Sequence, residues 1–141
     1  MGFLIDTNVL SEMRKGARAN QGVRDWFSRV AGDQLHVSVL TLGEIRQGIE
    51  QIRRRDPLAA QSLQKWLHRL ETDTDQRILP VTYMITDLWG RLNVPDKLPT
   101  IDGLLAATAL VHDLTFVTRN VRDVERSGVK LLNPFSEAVS E

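Results

Sequence analysis

Short apolar runs alternate along the chain with longer stretches of helical periodicity. Phe3, Leu4 and Ile5 form the first run and stop at Asp6, Thr7 and Asn8, which are cap and turn residues; this predicts a buried strand ending at Asp6 with a helix behind it. Val23, Trp26, Phe27 and Val30 recur at i, i+3, i+4 and i+7, predicting an amphipathic helix over 21–31 that Gly32-Asp33 ends. Leu35, Val37 and Val39 alternate with His36 and Ser38 as in a strand. From Leu40 the pattern becomes helical, with Leu42, Ile45, Ile49 and Ile52 on one face and Arg53, Arg54 and Arg55 at the end. Asp56-Pro57 reads as a cap followed by proline at the first helical position, and Leu63, Trp66, Leu67 and Leu70 mark the inner face of a partner helix. The two helices are expected to form a hairpin. Ile78 to Val81 reads as a short strand, and Ile85, Leu88, Trp89 and Leu92 as a helix running into a loop at Pro95 and Pro99. From Ile101 to Leu114 the chain is apolar nearly all round, so this helix is buried on most sides. Thr115 to Thr118 and Val129 to Leu132 read as the last strands, joined by a short polar helix ending at Gly128. Strands alternating with helices imply a parallel sheet with right-handed crossovers, whose site lies beyond the C-terminal strand ends.

Composition narrows the class. At 141 residues, 42% hydrophobic and 26% charged, the chain suits one globular domain over 1–141 rather than a disordered segment. No apolar run approaches the ~20 residues of a membrane span, and Asp6 interrupts any signal-like start; a cytoplasmic location without membrane contact is expected. Absence of cysteine excludes a disulfide scaffold, a thiolate metal site and a cysteine nucleophile. Eighteen basic residues balance eighteen acidic ones, which removes the simplest electrostatic case for a nucleic-acid binder, a strongly basic domain.

Candidate chemistry gathers at the strand ends. Asp6 ends the first strand, Glu44 follows the second, Asp102 opens the buried helix, and Thr118, Arg119, Asn120 and Asp123 follow the fourth strand. Carboxylates collected on one rim repel one another unless a cation is bound, and hard divalent ions such as Mg²⁺ or Mn²⁺ take oxygen ligands. Each acid also has a purely structural reading. Asp6 suits a helix N-cap, Thr41-Leu42-Gly43-Glu44 matches a capping box, and Asp102 lies where a helix dipole favours negative charge. Capping does not explain why Asp102 precedes so apolar a helix, nor why Asn120 and Asp123 join the same rim. His36, His68 and His112 fall on different elements with no i, i+4 partner, which argues against zinc or a histidine triad; His112 suits a helix C-terminus. Trp26, Trp66 and Trp89 occupy core-facing positions. Arg53 to Arg55 read as a solvated helix end or a local phosphate-holding patch, while Arg119 and Arg122 stand beside the acids.

Four stretches resemble the PIN domain, specifically the VapC and FitB type of bacterial toxin ribonuclease: Leu4 to Glu12, Ser38 to Ile49, Ile101 to Ala109 and Val117 to Asp123, with smaller echoes in Trp89 to Leu92 and Leu131 to Phe135. The resemblance runs in order over essentially the whole chain. It implies a three-layer α/β/α fold with a central parallel sheet of about five short strands and a protruding helical hairpin. It also implies an Mg²⁺- or Mn²⁺-dependent endoribonuclease, the toxin of a type II toxin–antitoxin pair, a homodimer that a small antitoxin clamps into a higher oligomer, with the helix pair around 41–71 as the antitoxin groove. By position, Asp6 and Asp102 would hold the metal directly, Glu44 and Asp123 would complete the acidic cluster, and Asn120 would position phosphate or water. Thr7 and Asn8 would offer donors to phosphate from a helix N-terminus, with Thr118 and Arg119 beside them. Val124 departs from relatives that carry an aromatic after the last acid. A haloacid-dehalogenase phosphatase also opens on a strand ending in Asp but needs a second acid two residues on, where this chain has Asn8. A catalytically silent PIN fold acting as a binding module is the remaining alternative.

Overall fold

The structure, a computed structural model, describes residues 2–136. Five parallel strands, β1 (Phe3–Ile5), β2 (Leu35–Ser38), β3 (Ile78–Leu79), β4 (Thr115–Val117) and β5 (Leu131–Leu132), lie in the order β3-β2-β1-β4-β5. The seven helices are α1 (Thr7–Met13), α2 (Gln21–Arg29), α3 (Val39–Arg53), α4 (Pro57–Asp73), α5 (Tyr83–Leu92), α6 (Thr100–Val111) and α7 (Val121–Val124).

Side-chain alternation along the two central strands divides the core. Ile5 and Val117 face one layer with Val9, Val23, Trp26, Ile45, Ile49, Leu67 and Leu70 from α1 to α4. Their neighbours Leu4 and Phe116 face the other with Leu105, Ala106 and Ala109 of α6 and Val124 of α7. Strand residues buried on both faces are why these runs are short and continuously apolar. Gly103 lets α5 approach α6 closely, since a Cβ there would stand 3.1 Å from Leu98 Cβ and 3.2 Å from Trp89 Cδ1. Trp26 is buried, packing edge-on against Phe3 and Phe27; Trp66 and Trp89 are partly buried.

Local chemistry sets the element boundaries. Asp56 caps α4 through Ala59 N–H, with Pro57 in its first turn. His112 is the residue that closes α6, and Gly128 ends the segment before β5 at φ +80°. The second crossover differs from its expected form. The strand stops at Ser38, whose Oγ accepts from Leu40 N–H at 3.0 Å, so Val39 already belongs to α3. Thr41 is therefore buried inside the helix instead of capping it, and Glu44 does not close a capping box.

Candidate active site

The parallel sheet sends α1, α3 and the α7 turn away from one rim, and α6 begins at the same rim. Asp6 leaves β1 there, 4% exposed, with its backbone N–H bonded to Val117 O of β4 at 2.9 Å. Three donors orient its carboxylate. Oδ1 accepts from Thr7 N–H at 2.8 Å, and Oδ2 accepts from Thr118 Oγ1 at 2.7 Å and from Asn8 Nδ2 at 3.3 Å. Burial raises the Asp6 pKa above its usual value; the bonds from Thr118 and Thr7 pull it down, and the Glu44 charge pushes it up again.

Glu44, on the second turn of α3, accepts from Thr7 Oγ1 at 2.7 Å. Thr7 thus links two acids, giving its amide to Asp6 and its hydroxyl to Glu44. Asp102, in the first turn of α6, has its pKa raised to about 6. Burial is the main cause, followed by the charges of Asp6, Asp123 and Glu44, so the four acids named from the sequence share one electrostatic environment.

The residues after β4 divide into separate tasks. Thr118 is 0% exposed; its hydroxyl donates to Asp6 and accepts from Asn120 N–H at 3.0 Å. Thr118, expected from the sequence to position substrate or water, thus lies beneath the Asp6 carboxylate with its hydroxyl bonded to it. Arg119 is exposed, its backbone N–H bonded to Asn8 Oδ1 at 3.3 Å and its guanidinium 4.6 Å over the Phe135 ring. Asn120 and Asp123 are exposed, and the Asn120 side chain makes no cap bond. Arg122 is exposed as well. Glu12 was not singled out from the sequence, yet it accepts from Asn20 N–H at 2.8 Å and from Lys15, and Arg119 helps hold its pKa low after those bonds.

The donor set suits a hard divalent cation. Carboxylates that raise one another's pKa are stabilised by positive charge among them, and a partly protonated Asp102 would release its proton to solvent as a cation bound. Among the described residues no group of three or more Asp, Glu or His side chains stands close enough together to hold a metal ion; Mg²⁺ keeps several waters and needs only one or two carboxylates directly. Beside the acids, a groove of about 250 Å³ runs between α1 and the hairpin, polar at Thr7, Ser11 and Glu44 and apolar at Ile45, Ile52, Leu63 and Trp66.

The PIN domain family model matches residues 3–127. The plasmid stability protein StbB of Pseudomonas syringae pv. tomato is 30% identical, with 94% of this chain and 98% of that protein covered. The VapC ribonuclease Y4jK of Sinorhizobium fredii is 28% identical over 96% of this chain and 99% of its own length, and the toxin FitB of Neisseria gonorrhoeae is 26% identical over the same shares. Among solved structures, FitAcB from Neisseria gonorrhoeae superposes with a TM-score of 0.85 at 25% identity, covering 94% of this chain and 97% of that one. With its rim of acids at the ends of a five-stranded parallel sheet, the chain belongs to the PIN-domain family.

Proposed function

We propose that this chain is an Mg²⁺- or Mn²⁺-dependent endoribonuclease, the toxin of a type II toxin–antitoxin pair. One observation carries the reading: Asp6, Glu44 and Asp123, from three different elements, all raise the pKa of Asp102 on a fourth. A rim of that kind costs stability by itself and gains it from a cation. The names of the relatives, a VapC ribonuclease and the FitB toxin, support the same chemistry.

Asp6 and Asp102 would hold the metal, which when bound supplies an acidified water and a counter-charge for the scissile phosphate. The chain's own residues prepare the site. Thr118, Thr7 and Asn8 fix the Asp6 carboxylate in one orientation, so little reorganisation is needed on loading. Glu44, turned by the Thr7 hydroxyl, and Asp123 accept the proton of the attacking water or orient it. Asn120 and Arg119, exposed beside the acids, face the phosphate of an incoming strand. A small antitoxin would lay an amphipathic segment along the groove between α1 and the hairpin, reaching the acids at Glu44. No described helix is long and apolar enough to cross a membrane.

The test is cleavage of an RNA mixture by the purified chain with Mn²⁺, Mg²⁺ or EDTA. Cleavage should require the metal, and Asp6→Asn and Asp102→Asn should each lower it at least 100-fold, an electrostatic loss of about 3 kcal/mol. Metal-independent cleavage, or full activity in both variants, would refute the reading. Mn²⁺ binding without cleavage would point instead to a silent binding module.

A further inference from the structure

The nuclease reading leaves the reverse side of the hairpin without a task. A second groove of about 540 Å³, roughly twice the volume of the one at Glu44, lies between α3 and α4. Arg46, Gln61, Gln64, Lys65, His68 and Arg69 line it, with Glu71 as its one acid. Arg46 stands two residues beyond Glu44 and so about 200° around the helix, which turns this groove away from the acids.

The lining of the groove is basic although the chain is neutral. Arg46, Lys65 and Arg69 stand against the single acid Glu71 in it, a net +2 in a chain of net zero, whereas the hairpin as a whole, residues 39–73, is close to neutral with six basic and five acidic side chains. Glu50 is taken up by Arg46 at 3.4 Å and Arg53 at 3.0 Å. Lys65 and Arg69 have no acidic partner within 4.0 Å among the described residues. They sit at i and i+4, one turn apart on the same face of α4, where like charges oppose helix formation. Gln64 Oε1 accepts from Arg46 at 3.3 Å and from Arg53 at 2.7 Å, which braces Gln64 and Arg46 together in the lining.

We propose that this groove is a second RNA-binding site, which takes the phosphodiester backbone of a single-stranded segment that the acidic rim does not hold. The inference rests on the nuclease reading for the identity of the polyanion. An acidic peptide fits less well, because no aliphatic or aromatic residue lines the groove to anchor a side chain. Lys65 and Arg69 are about 6 Å apart along the helix axis, comparable with the separation of neighbouring phosphates in an extended strand. The site also answers an electrostatic difficulty. Four acids at the rim repel RNA until metal is loaded, and a basic groove elsewhere on the molecule supplies the attraction that brings the strand in.

The experiment measures binding of a labelled oligouridylate to the full chain in EDTA, where no cleavage occurs, across a range of salt concentrations. The variant is Lys65→Gln with Arg69→Gln; both side chains are exposed, and circular dichroism checks that the fold is kept. Affinity at low salt should fall about tenfold. The slope of log K against log salt should shrink by about 1.4, from about 0.7 per phosphate contact on a single strand. Unchanged affinity and slope would overturn the proposal, as would a groove that binds polyglutamate in a Lys65- and Arg69-dependent way while oligouridylate binding is unaffected. Metal-dependent cleavage by the unmodified chain is the separate arm: its absence, with groove-dependent binding retained, removes the nuclease reading and leaves the RNA groove standing.

Discussion

Asp102 is a residue whose charge works against the metal-free fold. Its pKa of about 6 lies above the value near 4 of an unfolded chain, so the native state holds the proton more tightly than the unfolded state does. The linkage then runs opposite to that of a salt-bridged carboxylate. Its unfavourable contribution is fully present above pH 6 and is relieved as pH falls from 6 toward 4. Asp102→Asn should therefore stabilise the protein in EDTA at pH 7.5 by on the order of 1 kcal/mol, after allowance for solvent screening around a half-exposed group. That corresponds to about 2–4 °C in Tm. The gain should shrink at pH 5, where Asp102 is already protonated. Calorimetric scans of both proteins at pH 5 and 7.5 measure it, and a variant less stable at both would show that the carboxylate is held by favourable contacts instead. At this scale the sequence was informative about residue type and weak about partners. Asp6, Glu44, Asp102 and Asp123 stand out because each falls at a strand end or helix start. The bond from Thr118 to Asp6 joins residues 112 positions apart, and no local pattern distinguishes a hydroxyl that faces substrate from one that lies beneath a carboxylate.

Among the elements, α2 shows how the last described residues are tied to the site. Asn20 caps α2 by accepting from Gly22 N–H at 3.0 Å and Val23 N–H at 3.3 Å. The same oxygen accepts from Ser136 N–H at 2.9 Å, and Asn20 Nδ2 donates to Ser136 O at 3.0 Å. One side chain thus starts a helix and fastens residues 134–136, whose Phe135 ring carries Arg119. Gly22 makes room for this: a Cβ there would collide with Pro134 O and lie 2.6 Å from Ser136 N. Two substitutions separate the two roles. Asn20→Ala should cost about 1–2 kcal/mol through loss of the cap, while Gly22→Ala keeps the cap and displaces only the C-terminal segment. Both should speed carboxypeptidase trimming past Ser136, and Asn20→Ala should lower Tm more; equal trimming in all three proteins would contradict the fastening. Helix starts of the Asp56-Pro57 kind were legible because cap and proline are adjacent in sequence. The start of α3 lies one residue earlier than the pattern predicts because Val39 continues the strand alternation of Leu35 and Val37, and only the Ser38 hydroxyl bonded to Leu40 N–H marks the change.

For the whole molecule, the family resemblance implies a homodimer, and the surface supports one face for it. Val39, Tyr83 and Met84 are 41%, 81% and 67% exposed. β2 and β3 pair in register, Ser38 opposite Leu79, so that α3, beginning at Val39, and α5, beginning at Tyr83 and Met84, both leave the β3 side of the sheet. The edge itself is a poor template for strand addition: β3 has two residues and Pro80 follows at once. Association there must use side chains, and exposed large apolar groups gathered at one edge are the kind of surface a second copy covers. Leu58 at the hairpin tip and Val94 in the loop before α6 are exposed too, but they lie apart from this edge and serve as controls. Tyr83→Glu combined with Met84→Glu places charge at the centre of a self-complementary contact, where two copies would meet like against like. We expect light scattering to give twice the monomer mass for the unmodified chain and the monomer mass for this variant, with unchanged circular dichroism because neither side chain is in the core. Leu58→Glu should leave the mass doubled. If the double variant stays dimeric while Leu58→Glu becomes monomeric, the contact lies at the hairpin tip; a monomer in every case would remove the dimer from the proposed assembly.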